Sequence, residues 1–264
     1  MINAFYKKYQ KHFDVSENNF AHFVMWGCGG ICIGFVIGLV GIAFHLALEW
    51  ATEFRTAHPM LLWLLPFGGL AIVLAYRLAG QEKDRGTNFI LVAVRANEAV
   101  TLRTAPLIFF STVVTHLLGG SAGREGAALQ LGGSIASSFG RIFQLNEREG
   151  RIMTMCGMAA GFAALFGTPL TSVIFAMEVI TVGVMHYSAI VPCIISALVA
   201  AGLSQAVGIA PTTFSIAHIP TAVGLENCFR AAVLGVLCAV LSVLFCIVME
   251  HVGGAYRRIF KNPF

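Results

Sequence analysis

The sequence predicts an all-α integral membrane protein, and three observations carry that prediction. Of the 264 residues, 57% are apolar and only 11% charged, against roughly 25% charged in a soluble domain. Apolar stretches of helical length recur between short polar turns, several of them longer than the roughly 20 residues needed to cross a bilayer. Glycines repeat at four-residue spacing, the pattern that lets helices pack closely in lipid.

Residues 1–20 carry Lys7, Lys8 and Lys11, so this segment is expected on the cytoplasmic side. It has no short apolar region followed by a small-residue cleavage site, so it does not read as a secretory signal. Residues 21–52 form one long apolar helix, long enough to require tilt. Gly30, Gly34 and Gly38 make a ridge along it for close packing. Thr52 to Pro59 reads as a short connection, and Met60 to Leu78 as a second span. The loop Gln81-Glu82-Lys83-Asp84-Arg85, with Arg77 before it, is basic enough to be cytoplasmic. Gly86 to Val94 follows, too short to cross, and broken segments of this kind are where transporters place ligands.

After a polar turn, Arg95 to Arg103, a span runs from Pro106 to Leu118. Then comes Gly119-Gly120-Ser121-Ala122-Gly123-Arg124-Glu125-Gly126-Ala127-Ala128-Leu129-Gln130. An arginine and a glutamate between apolar spans are costly unless they line a cavity. The uncharged run Gly126 to Phe139 reads as the body of a helix over 126–142, which sets Glu125 and the following amides at its N-terminus. Unpaired N–H groups and the helix dipole favour an anion there. Ala128, Gly132, Ala136 and Gly140 make a packing stripe on that helix. Asn146 to Arg151 reads as a charged turn, and Met153 to Phe166 as a modest span containing Gly157 and Gly161. Thr168 suits an N-cap and Pro169 a first helical position, opening a helix from Leu170 to Val184. Residues 187–207 make a further span, and Ile209 to Gly224 a loop. A last long helix runs from Glu226 to about Tyr256, with Arg257, Arg258 and Lys261 after it on the cytoplasmic side.

Seven cysteines, at positions 28, 32, 156, 193, 228, 238 and 246, lie mostly in apolar segments. None forms a C-x-x-C pair, so neither a metal centre nor a disulfide framework is indicated, and no cofactor is expected. Cys28 and Cys32 share a helix face and read as small packing residues. The net charge of +4 reports basic cytoplasmic loops rather than nucleic-acid binding.

The first and last long helices echo one another. Phe44 and Glu49 are followed by Arg55, and Phe245 and Glu250 by Arg257 and Arg258. First helices of two inverted repeats would look this way. The chain then divides into a cytoplasmic segment 1–20, a first membrane repeat 21–224, and the opening helix of an incomplete second repeat, 225–264.

Gly119–Gln130 resembles the G-x-x-x-G-R-E-G-P-x-V-Q stretch of the CLC chloride channels and proton–chloride antiporters. Gly157 to Leu170, running on to Phe175 and Glu178, resembles that family's next long motif, G-A-A-A-G-x-A-A-x-F-x-A-P-L…F-x-x-E. The resemblance spans about residues 20–258. It implies a bundle of tilted, re-entrant and half-length helices in a homodimer embedded in lipid, with a separate pathway for chloride or a similar small anion in each subunit.

By position, the resemblance makes Glu125 the gating glutamate. Its carboxylate fills the outer anion site when ionised and swings away when protonated or displaced. Burial would oppose the ionised form, while Arg124 and the helix N-terminus would favour it. A helix-terminal ion pair between Arg124 and Glu125 is the plainer alternative. Gly123, Arg124, Gly126 and Ala127 complete the expected outer site, with Arg124 more structural and electrostatic than a direct ligand. Ala127 stands where the family has proline, which should loosen the turn while leaving its amide available. The family's G-S-G-I-P motif, whose serine holds the central anion, corresponds to Gly86-Thr87-Asn88-Phe89-Ile90. Thr87, or failing it Asn88, would supply that hydroxyl or amide; the same pair would also suit an N-cap. The inner proton-accepting acid of the antiporters falls at Val179, an apolar residue that favours a passive channel over a proton-coupled antiporter. Glu178 reads as a helix-end structural acid.

The family's second-half motifs, including G-x-F-x-P and a late tyrosine, do not occur within these residues. The sequence therefore presents about half of a pathway, either as a fragment of a longer product or with a partner chain supplying the rest. A non-conducting partner subunit is an alternative. A remoter one is an intramembrane serine hydrolase, since Gly119-Gly120-Ser121-Ala122-Gly123 matches G-x-S-x-G and His116 lies close in sequence.

Overall fold

The computed structural model describes residues 19–81, 90, 92, 100–180, 184–209 and 224–259. All regular structure among them is helical. Among the described residues, four helices are long and apolar enough to cross a membrane.

Helix α1 spans Asn19–Ala57, 39 residues. At 1.5 Å per residue it is about 58 Å long, well beyond a hydrocarbon core of about 30 Å. It continues past the connection expected at Thr52. Thr52 Oγ1 donates to the Leu48 carbonyl at 2.8 Å and Thr56 Oγ1 to that of Glu53 at 2.7 Å, so both hydroxyls are satisfied inside the helix. The stop comes at His58, which leaves helical backbone (φ −128°, ψ 72°) before Pro59, where a proline disfavours helix for the residue before it. A 3₁₀ turn, Pro59–Leu64, leads directly into α2, Leu65–Leu78.

Helix α3 spans Thr104–Leu117 and α4 spans Arg124–Ile142. Helix α5 spans Glu147–Phe166 and so absorbs most of the charged turn expected at 146–151. Asn146 accepts from the Glu149 amide while Glu149 reaches back to the Asn146 amide, a reciprocal capping box. Helix α6 spans Pro169–Glu178, ending short of the expected Val184. The β-branched pair Val179-Ile180 gives continuation little helical support, and 181–183 lie outside the described residues. Thr168 takes the N-cap position expected of it, yet its side chain makes no capping bond. A 3₁₀ turn, Tyr187–Ala189, precedes α7, Ile190–Ala206.

Small residues set the helix directions. A β-carbon on Gly30 would stand 2.9 Å from the Pro192 carbonyl oxygen, one on Gly34 2.5 Å from that of Ser196, and one on Gly38 3.1 Å from Ala200 Cα. The two series rise together, so α1 and α7 run parallel. Helix α5 is parallel to both: Gly41 faces Ala164, and Ser196 and Ser204 on α7 donate to the Cys156 and Ala164 carbonyls at 3.0 and 2.7 Å. Helix α4 runs against them. Gly132 faces the Gly157 carbonyl and Gly161 that of Ala128, so α4 and α5 meet backbone to backbone. The stripe expected on α4 is this contact, with Ala128 and Ala136 buried in it. Phe44 on α1, fully buried, meets Phe109 on α3 with ring centroids 5.3 Å apart.

The chain divides into two compact units, residues 1–212 and 213–264. The second holds α8, Leu225–Ile259, a 35-residue apolar helix with an ion pair between Glu226 and Arg230. Its side chains are almost all exposed.

Candidate functional site

The site grows from the junction between α3 and α4. Helix α3 ends in a Schellman turn: the Gly119 amide donates to the His116 carbonyl at 3.2 Å and the Gly120 amide to that of Thr115 at 2.8 Å. Gly119 takes φ +80°, the left-handed conformation that glycine adopts without a β-carbon penalty. Residues 120–123 then lead in open backbone to α4, with Gly123 extended at the N-cap.

Helix α4 starts at Arg124, two residues earlier than expected. Arg124, Glu125 and Gly126 therefore occupy the first three helical positions, whose N–H groups have no intrahelical acceptor. Ala127, the fourth, stands in register over the Gly123 carbonyl. The expected open amide at Ala127 moves back to Arg124 for that reason.

Glu125 turns back over this terminus. Its Oε2 lies 2.9 Å from where a β-carbon on Gly123 would stand. The carboxylate thus rests where the unpaired amides and the dipole favour negative charge. Among the described residues no ion pair joins it to Arg124, so the plainer alternative of a helix-terminal pair does not form. Glu125 is exposed on this chain and Arg124 half-buried. Among the described residues of this unit, no helix covers that face, so the burial expected to oppose ionisation is not seen.

Below the first turn the wall is buried and apolar but for Gln130. Ala127, Ala128, Leu129 and Gln130 are buried. Val179 closes α6, partly buried against the core, and Glu178 beside it is exposed. Thr87 and Asn88, the expected central-site residues, lie outside the described residues. Ile90, just beyond them, is fully buried and packs at Gly133 of α4.

The wall behind the glycine turn comes from far along the chain. A β-carbon on Gly119 would stand 3.0 Å from Leu62 Cδ1 and 3.3 Å from Arg55 Cδ, and one on Gly120 3.1 Å from Leu65 Cδ1. The end of α1, the 3₁₀ turn and the start of α2 thus support the turn that leads to Glu125. Sequence reasoning missed Arg55 as part of this neighbourhood. Its only signal was a basic residue closing an apolar helix.

The arrangement does not suit a nucleophile elbow. A helix, not a strand, precedes Ser121. The Nδ1 of His116 donates to the Thr112 carbonyl of its own helix at 2.8 Å. No hydrogen bond joins His116 to Ser121 among the described residues.

Comparison with known proteins gives the same reading from another direction. The profile of the family described as voltage gated chloride channel matches residues 67–264. The "Chloride/fluoride channel protein" of Pseudomonas syringae pv. tomato is 36% identical over 228 residues, covering 86% of this chain and 50% of that protein. The "H(+)/Cl(-) exchange transporter ClcA" of Cronobacter sakazakii is 34% identical over 160 residues, covering 55% of this chain and 34% of that one. Among solved structures, a CLC-type fluoride/proton antiporter superposes with a TM-score of 0.84 at 30% identity, covering 94% of this chain and 62% of that one. The chain thus spans about half the length of the Pseudomonas relative.

Proposed function

Since the chain belongs to the voltage-gated chloride channel family, we propose that it takes part in moving a small halide, chloride or fluoride, across a membrane, with Glu125 as the gate. The observation that carries this reading is the Glu125 carboxylate folded back over the open N-terminus of α4. A carboxylate and a halide compete for the same unpaired amides, since both are anions drawn by the same dipole. The pathway opens when the carboxylate leaves, on protonation or on displacement by the halide. Gly123, Arg124 and Gly126 line that outer position, and Ala127 backs it from the first closed turn of α4. Thr87 or Asn88 serves the central one.

Fluoride stands beside chloride because relatives at 36% and 30% identity are named for it. Val179 at the inner position favours passive conduction. Proton-coupled exchange is the second reading, favoured by the structural likeness to a fluoride/proton antiporter. The protein is a homodimer with its N-terminal segment and basic C-terminal tail on the cytoplasmic side of the inner membrane. Residues beyond this chain, contiguous with it or supplied by a partner, complete the pathway and cover the exposed face of Glu125.

The test is halide efflux from liposomes holding the purified protein, with and without a proton gradient. Efflux altered by Glu125→Gln supports the gate, and efflux indifferent to that change refutes it. Halide movement driven uphill by a proton gradient would establish exchange over passive conduction. A protein inert in every condition is a non-conducting subunit.

A further inference from the structure

Resting on the anion-transport reading, and deepening it, we propose that Arg55 is the recruiting cation of the Glu125 site: it raises the local concentration of the small anion at the mouth of the pathway. Arg55 lies in the last turn of α1. Its Cδ packs against Gly119, 3.3 Å from the position of a β-carbon there. Gly119 opens the short turn that ends at the N-cap of α4, so the arginine stem is held by the same backbone that presents Glu125. Parallel α1 and α3 with antiparallel α4 bring the end of α1 and the start of α4 to one end of the bundle. The open amides of α4, the Glu125 carboxylate and the Arg55 side chain therefore lie at the same end of the bundle.

The charge is unspent. Among the described residues Arg55 has no acidic partner, and the side-chain bonds to the last carbonyls of α1 come from Thr52, Thr56 and His58 instead. The nearest acid in sequence, Glu53, projects from another side of the helix, since two residues along turn the direction by about 200°. Leu62 and Leu65 pack on Gly119 and Gly120 from the same wall, so the arginine stem lies along apolar surface. A cation beside apolar walls concentrates anions and raises their rate of entry, most when the Glu125 carboxylate is protonated or displaced. Arginine fits this task because it stays charged at every working pH and is weakly hydrated, so it attracts the anion without trapping it in a bond.

The experiment measures halide efflux at varied halide concentration and ionic strength, in liposomes of neutral lipid, for the unmodified protein, Arg55→Gln, Arg55→Lys and Glu125→Gln. Expected for Arg55→Gln is a half-saturating halide concentration raised about threefold to tenfold at low salt, with the maximal rate nearly unchanged. That difference should collapse near 0.5 M salt, where the screening length falls to a few ångströms (on the order of 4 Å). Arg55→Lys should restore most of the effect, because it keeps the charge. A change in maximal rate alone, or an effect indifferent to salt, overturns the recruiting role and leaves the gate intact. An effect of Arg55→Gln with none of Glu125→Gln overturns the gate instead. As a second readout, halide-dependent stabilisation against heat is followed in the same variants: a midpoint shifted by Arg55→Gln supports the proposal without transport. Neither efflux nor stabilisation in the unmodified protein overturns both readings.

Discussion

Glu125 and Gly123 share one volume: the Oε2 of Glu125 lies 2.9 Å from the point where a β-carbon on Gly123 would stand. Gly123 has ordinary extended backbone, φ −79° and ψ 141°, which alanine also adopts without strain. The glycine is therefore needed for the carboxylate, not for the backbone. Gly123→Ala should push the carboxylate off the helix terminus and raise halide efflux toward that of Glu125→Ala. Thermal stability should change by less than about 0.5 kcal/mol. In a Glu125→Ala background the same change should add nothing, and an additive effect would show that the two residues are not coupled.

Glu125→Gln should remove the dependence of efflux on pH. Glutamine keeps the size of the side chain but holds neither the charge that competes with halide nor a proton to gain. Efflux measured across a series of internal and external pH values checks this. A pH dependence surviving intact would place the titrating group elsewhere.

The α4–α5 contact admits no side chain. Gly157 faces both the Gly132 carbonyl and the Ala136 methyl, so Gly157→Ala must separate two helices. Overpacking of this kind costs about 1–3 kcal/mol, and should appear as a lower unfolding midpoint in detergent. Gly69 has open space where its β-carbon would stand. Gly69→Ala, in an α-helix interior, should be neutral or mildly stabilising.

Asn146→Ala removes the acceptor that holds the Glu149 amide and with it half of the capping box. The expected cost is about 1 kcal/mol, with halide efflux unchanged in rate per folded protein. A loss of efflux without a loss of stability would point to a role for this turn in transport.

Ser121→Ala should leave halide efflux as it is. The hydroxyl is exposed, and His116 is bonded to its own helix. Proteolytic activity lost on this substitution, with efflux intact, would argue for the hydrolase reading.

Much of the architecture was legible in the chain because membrane burial demands long apolar helices with small residues where they touch. The ridge Gly30-Gly34-Gly38 and the stripe through Gly132 are written in sequence at helical spacing. Element ends were less legible. Helix α1 runs to Ala57 because two threonine hydroxyls are satisfied within it, and α5 begins at Glu147 because Asn146 and Glu149 cap one another. Polar letters alone read equally well as loop. At the site, Glu125 and the helix N-terminus were readable because an acidic residue after glycines, opening an apolar run, has few other physical uses.

The sequence by itself determined the solvent this protein lives in, its helices, and the carboxylate that stands at the start of α4, since each follows from local composition and spacing. Only the tertiary structure decided which helices run parallel, which glycine faces which carbonyl, and that Arg55 packs on Gly119. Those contacts join residues far apart in the chain. They are set by how surfaces fit when several helices close on one another, and no window of sequence contains that fit.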